Sequence, residues 1–222
     1  MMEKQVLVVF PHPDDEAFGT AGLITKFVND GVPVTYACAT LGEMGRNMGN
    51  PFFATRETLP EVRKKELQDA CNAMGVKDVR MLGFRDKTLE FEDPELLVST
   101  IAKLVDELKP SLIITFYPEY GIHPDHDACS AAVIETLKRM PKEGRPTVYA
   151  LPITPDREAV LGKPDKVFDV TDVLETKIKT IEAHRSQTEA MVARLEDGSI
   201  DPNSEMMSFI KQESFWIYPF DE

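Results

Sequence analysis

VLVVFPHPDDEAFG, residues 6–19, changes character halfway along. Val6–Phe10 is an unbroken apolar run, the pattern of a strand buried on both faces. Pro11, His12, Pro13, Asp14, Asp15 and Glu16 follow at once, and most of these types suit neither a strand nor a packed interior. From Ala17 onward the spacing is helical. A strand, a polar turn and a helix in that order open an α/β domain. In an open parallel sheet, ligands bind beyond the carboxyl ends of the strands, which is where this turn falls.

The alternation continues outward from that stretch. Val34–Ala39, Val79–Leu82, Leu112–Tyr117, Val148–Leu151, Val167–Val170 and Phe215–Tyr218 read as strands. Ala17–Asn29, Pro60–Met74, Pro94–Leu108, Ala128–Met140, Val173–Leu195 and Pro202–Gln212 read as helices, with Gly31 and Gly75 as stop signals. This order predicts a mostly parallel central sheet covered by helices. No internal repeat or low-complexity linker appears, and 222 residues suit a single domain over 1–222.

A net charge of −13 argues against nucleic acid or an anionic membrane surface as partner. No window approaches 18 apolar residues, so no membrane span is expected. The start, MMEKQVLVVF, lacks the basic and long apolar regions of a signal peptide. Cys38, Cys71 and Cys129 are odd in number, far apart and set among apolar residues, which predicts reduced core thiols. Together these features predict a cytoplasmic protein. Composition does not choose between a monomer and a homo-oligomer.

Polar chemistry is concentrated at one end of the predicted strands. Their carboxyl ends carry PHPDDE, TLGEMGRNMGN, GFRD and YPEYGIHPDHD, whereas VNDGV, MGVKD and ELKPS at the other end are plain turns. Three of the four histidines, His12, His123 and His126, lie on that rim. A catalytic zinc site needs three nitrogen or oxygen ligands and one open position, and His12, Asp15 and His126 supply that set. Positions 12 and 15 share one side of the first helical turn, which leaves Asp14 beside the open position. Asp125 or Asp127 would orient His126 from behind. A lone histidine or a lone DDE is ordinarily a surface group or a helix-start charge run. The joint occurrence of HPDDE and HPDH on one rim favours a site.

PHPDDEAFG together with HPDH resembles the LmbE-like, or PIG-L, family of zinc-dependent N-acetylglucosaminyl deacetylases. TLGEMGR, LGFRD and HRSQ (His184–Gln187) also look like family features in the expected order. LPEVRKKEL, the short length and the overall spacing look closest to the bacillithiol-biosynthesis deacetylases. The resemblance implies a Rossmann-like three-layer sandwich, one zinc (or ferrous iron in the cell), and removal of acetate from a small-molecule amino-sugar glycoside. N-acetylglucosaminyl malate is the substrate it suggests. By the same resemblance the ligands are His12, Asp15 and His126, Asp14 is the general base, and His123 assists at the oxyanion or leaving group. Glu43 and Asp86 would hold sugar hydroxyls, with Arg63 nearby. Tyr120 stands three residues before His123, where the family often has a tyrosine two residues before its histidine.

The long segment Gly42–Pro60 has no clear periodicity and predicts a mobile binding loop. Its Arg46 and Arg56 would suit a carboxylate on the aglycone. His184, in an apparently helical stretch, reads as a packing group near the edge of the site. Other readings remain open. The substrate could be another N-acyl sugar or a thiol conjugate. His12, Asp14 and His126 also spell the facial triad of iron oxygenases, although that triad usually rides on an all-β barrel. A nucleotide-binding module would want GxGxxG after the first strand, where this chain has acids. A non-catalytic sugar-binding protein could keep a metal for stability, but it would have no use for Asp14.

Overall fold

The computed structural model describes residues 3–196 and 205–220. In β1 (Val6–Phe10) all five residues are fully buried. Successive strand side chains point to opposite faces of a sheet. Val6, Val8 and Phe10 accordingly join one apolar cluster with Leu23, Leu67 and Cys71, and Leu7 and Val9 join a second with Ile101, Val133 and Leu137. Burial on both sides explains why the strand is apolar throughout.

After β1, α1 (Asp15–Gly19) and α2 (Ala21–Asn29) lead to β2 (Val34–Cys38), and α3 (Leu59–Met74) leads to β3 (Asp78–Met81). Helix α4 (Pro94–Leu108) crosses over to β4 (Leu112–Phe116), and α5 (Pro124–Lys138) leads to β5 (Thr147–Leu151). The chain continues through α6 (Arg157–Leu161), β6 (Lys166–Asp169), α7 (Leu174–Ala183), α8 (Arg185–Glu196), α9 (Glu205–Lys211) and β7 (Gln212–Ile217). The sheet order is β3-β2-β1-β4-β5-β7-β6. The first five strands are parallel, and β7 runs antiparallel to both β5 and β6. The result is a three-layer α/β sandwich with a mostly parallel sheet, as the alternation of elements predicts. Strands β1 and β4 are neighbours, paired from Val6↔Leu112, and the chain leaves them in opposite directions across the sheet. The crevice at their carboxyl ends is the topological switch point, where such sheets bind ligands.

Several element boundaries differ from the sequence reading. The helix expected over Ala17–Asn29 is two helices broken at Thr20, whose backbone leaves the helical region at φ −143. The stretch expected as one helix over Val173–Leu195 breaks at His184, a fully buried residue that the break turns inward. Helix α5 starts at Pro124 rather than Ala128, because the His123 side chain caps it by accepting from the Asp125 amide and Pro124 suits the first turn. HPDH is therefore a cap and first turn, not a loop before a helix. Residues 202–204 of the last expected helix lie outside the described residues. The short helix α6 has no strong periodicity and was not anticipated.

Cys38, Cys71 and Cys129 are free and buried, and burial pushes all three thiols up. Among the described residues no helix is long and apolar enough to cross a membrane. Helix α7 packs on α2 and α3 and carries Lys177, which forms a fully buried ion pair with Glu213 of β7.

Candidate active site

His12 leaves the end of β1, Asp15 opens α1, and His126 sits in the first turn of α5. Although 114 residues separate them, His12 Nδ1 and His126 Nε2 lie 3.2 Å apart. Asp15 joins them, with Oδ1 3.4 Å from His126 Nε2 and Oδ2 3.6 Å from His12 Nδ1. Behind these atoms, His12 Nε2 lies 3.1 Å from Asp125 Oδ2 and 3.1 Å from Asp86 Oδ1. His126 Nδ1 lies 2.7 Å from the Gly121 carbonyl oxygen. In a neutral ring the proton sits on the nitrogen with the closer oxygen acceptor, which is His12 Nε2 and His126 Nδ1. The inner nitrogens, His12 Nδ1 and His126 Nε2, are thereby left with lone pairs pointing at one another and at a carboxylate. Three lone pairs converging in this way fit a divalent cation, and two imidazoles with one carboxylate form a common catalytic ligand set.

The local electrostatics favour positive charge at this spot, which either a proton or a cation can supply. Burial lowers the His12 pKa, but hydrogen bonds to Asp125 and Asp86 and the charge of Asp15 outweigh burial and hold it up at about 10. Burial raises the Asp15 carboxyl, and the His126 and His12 partners more than reverse that. The cluster attracts positive charge. Two further groupings have ligand atoms close enough for a cation: His12 with His123 and His126, and His12 with Asp86 and Asp125. In the latter, however, Asp125 already accepts from the Lys87 amide at 2.6 Å and the Leu89 amide at 3.1 Å, and Asp86 from the Met44 amide at 2.7 Å. These acids are better placed to orient His12 than to bind an ion.

Asp14, the residue between, occupies the left-handed region at φ 111. Its Oδ2 lies 2.9 Å from Arg63 Nη2, and its amide donates to Glu16 Oε2. Burial pushes its pKa up to about 6, against the opposing charge of Arg63. Arg63 is buried and also donates to the carbonyls of Gly42 and Pro13. Only glycine fits at position 42, because a Cβ there would lie 1.9 Å from Arg63 Nη1, at φ +63. His123 Nδ1 accepts from the Asp125 amide, so Nε2 carries its proton and the ring is a neutral donor. Burial and the neighbouring His12 and His126 hold its pKa below the usual histidine value.

These residues border an open cavity of about 350 Å³. His12, Asp14, Asp15, His123 and His126 line one part of it, and Arg46, Arg63 and Lys87 contribute the cations. Other expected contacts differ. Asp86 was expected on a sugar hydroxyl, but its oxygens are engaged by His12 and the Met44 amide. Glu43 Oε2 accepts from the Asp86 amide at 3.1 Å. Arg56, offered for an aglycone carboxylate, donates to the carbonyls of Glu43 and Gly45 and so braces its own loop. Tyr120 packs edge-on against Tyr117 and is absent from the cavity lining. Asp125 orients His12 rather than His126, while Asp127 accepts from the Gly121 amide at 3.0 Å and steadies the residue whose carbonyl faces His126.

The Gly42–Pro60 segment, expected to be a mobile binding loop, is tied to α8 through residues 47–50. Gln187 donates to the Asn47 carbonyl at 3.0 Å, the Asn50 amide donates to Glu189, and the Gly49 amide donates to the Ser186 carbonyl at 3.3 Å. Two buried features carry no signal in the sequence. Glu16 accepts from the Tyr36 hydroxyl at 2.9 Å and pairs with His184 Nε2, which joins residues 168 positions apart directly behind Asp14 and Asp15. The buried pair Lys177–Glu213 is the other.

Gly121 supports a prediction. A Cβ there would lie 2.5 Å from His126 Cβ, so Gly121→Ala must displace either the imidazole or the carbonyl that orients it. Zinc affinity, measured by competition with a chelating dye, should fall about 10-fold or more, in line with other losses of a ligand-orienting group. An unchanged affinity would show that the Gly121 carbonyl does not set His126.

Fold and site together define a Rossmann-like α/β protein of the LmbE-like kind, with a candidate cation site at the switch point. Comparison with known proteins makes the class specific. The family model "GlcNAc-PI de-N-acetylase" (PIG-L) matches residues 7–137. The probable N-acetyl-alpha-D-glucosaminyl L-malate deacetylase 2 of Bacillus cereus is 54% identical over 99% of this chain and 100% of its own length. Its counterpart in Bacillus subtilis is 52% identical over 100% of both chains. The N,N'-diacetylchitobiose deacetylase of Pyrococcus horikoshii superposes with a TM-score of 0.74 at 28% identity, covering 98% of this chain and 84% of that one. This chain belongs to the PIG-L family, and its class is that of the hydrolytic N-deacetylases.

Proposed function

We propose that this protein hydrolyses the acetamide of N-acetylglucosaminyl malate, the deacetylation step of bacillithiol biosynthesis, as a single LmbE-like domain acting in the cytoplasm. The observation that carries the reading is the convergence of His12 Nδ1, His126 Nε2 and the Asp15 carboxylate, one oxygen toward each ring, beside a separate carboxylate, Asp14. The extensive similarity to malate-glycoside deacetylases supports the choice of substrate.

His12, Asp15 and His126 would hold zinc, with ferrous iron as the alternative in the cell. When bound, such an ion supplies Lewis acidity, which acidifies water and polarises a carbonyl oxygen. Asp14 accepts the proton of the attacking water, and Arg63 fixes the direction in which its carboxylate faces. His123 donates its Nε2 proton as a hydrogen bond to the acetamide oxygen as that oxygen gains charge. Water oxygen bonds to the acetyl carbon, the C–N bond breaks, and acetate leaves. Asp14 returns its proton to the departing amine, because the His123 ring in this tautomer is a neutral donor. Neither nucleic acid nor a membrane enters this reading, and one chain contains every group it uses.

The test is release of free amine from N-acetylglucosaminyl malate. The zinc-loaded protein should turn over, a chelator should abolish turnover, and added zinc should restore it. Failure to release amine from any acetamide, whatever divalent metal is supplied, would overturn the proposal.

A further inference from the structure

In the cavity beside His12, each acid has a partner, whereas two cations have none among the described residues. Asp14 pairs with Arg63, Asp15 faces His12 and His126, and Asp86 faces His12 and the Met44 amide. Arg46 and Lys87 line the same cavity, and neither side chain makes a hydrogen bond or ion pair with any described residue. Arg56, in the same loop as Arg46, is spent on carbonyls. Both side chains are exposed, so this rim of the cavity carries two positive charges that no described residue neutralises.

The backbone at both positions is braced. Lys87 sits in the left-handed region at φ 62, and its amide donates to Asp125 Oδ2, the oxygen that also faces His12. Arg46 follows a turn closed by the Gly45 amide on the Gly42 carbonyl at 3.0 Å, with Gly45 held from the other side by Arg56. The Met44 amide donates to Asp86 Oδ2 at 2.7 Å and ties the two segments together, two residues before Arg46 and one before Lys87. The two cations therefore launch from adjacent, braced segments on the rim.

We propose that Arg46 and Lys87 together receive the two carboxylates of a dicarboxylate aglycone and select doubly acidic N-acetylglucosaminides over neutral ones. The inference rests on the deacetylase reading above and assigns its specificity. Arg46 offers a planar fork that matches a carboxylate, and Lys87 a compact point charge.

The experiment compares kcat/KM for N-acetylglucosaminyl malate with that for methyl N-acetylglucosaminide, using the zinc-loaded full chain. Arg46→Gln and Lys87→Asn should each lower the acidic-to-neutral ratio about 10-fold, and the double variant about 100-fold, as expected for loss of charge-assisted hydrogen bonds. Asparagine is chosen at 87 because it tolerates a positive φ. Arg46→Lys should recover part of the ratio, which a purely structural role would not do. In the unaltered protein, raising the salt should depress kcat/KM for the malate glycoside more than for the neutral one. A ratio unchanged in both single variants, with free amine still released, overturns the inference and leaves the deacetylase reading standing. No amine from either glycoside with the unaltered protein overturns both.

Discussion

Asp14→Asn should lower kcat at least about 100-fold while the protein still binds its metal, the loss that removal of a general base typically brings. The substitution isolates the proton-accepting function. Asparagine keeps an oxygen that can accept from Arg63 Nη2, now 2.9 Å from Asp14 Oδ2. It also suits the positive φ of 111 that the native residue adopts, so the turn into α1 need not change. What disappears is a carboxylate that can take a proton from water. Arg63 stays buried on the Gly42 and Pro13 carbonyls, and the trio of His12, Asp15 and His126 is untouched. Metal content by atomic absorption and turnover by amine release decide the matter together. An Asp14→Asn protein without metal would make Asp14 a ligand, and one with near-normal turnover would remove it as the base.

The second large effect concerns stability and lies away from the chemistry. Lys177 of α7 and Glu213 of β7 form an ion pair in which both side chains are fully inaccessible to solvent. Glu213 also accepts from the Gly22 amide at 2.8 Å and the Leu23 amide at 2.7 Å, at the first turn of α2. One carboxylate thus joins the late helix, the last strand and a helix that follows β1. Removing one member of a buried pair leaves the other's charge uncompensated, at a cost of about 3 kcal/mol or more. Lys177→Met should therefore lower the thermal midpoint by about 6–12 °C for a chain of this size. Glu213→Ala should cost more, because it strands the lysine and two amide donors at once. Melting followed by circular dichroism tests both, and a shift below about 2 °C in either variant would show that the pair contributes little.

Much of the architecture was legible before any coordinates. Val6–Phe10 could only be a doubly buried strand, and the alternation after it called for helices on both faces of a mostly parallel sheet. The concentration of His12, Asp15, His123 and His126 at strand ends pointed to the candidate site, because that end of a parallel sheet is where ligands bind. Helix ends were less legible. HPDH read as a loop because the histidine that caps α5 is also a residue of the site. His184 read as mid-helix because its pairing with Glu16, far away in sequence, breaks the helix there.

By itself the sequence determined the class of fold, the rim that carries the chemistry, and the residue types able to hold a cation with a free carboxylate beside them. These follow from periodicity and local spacing, which are properties of neighbours along the chain. Only the tertiary structure decided who faces whom: Asp125 turned to His12, Gly121 to His126, Arg63 and Asp86 committed to the frame, Arg46 and Lys87 left without partners among the described residues. Lys177 and Lys87 are the same letter, yet one is buried against a glutamate and the other borders an open cavity. A charged side chain acquires its role from the charges folded against it, and those are set by through-space distances that no local pattern contains.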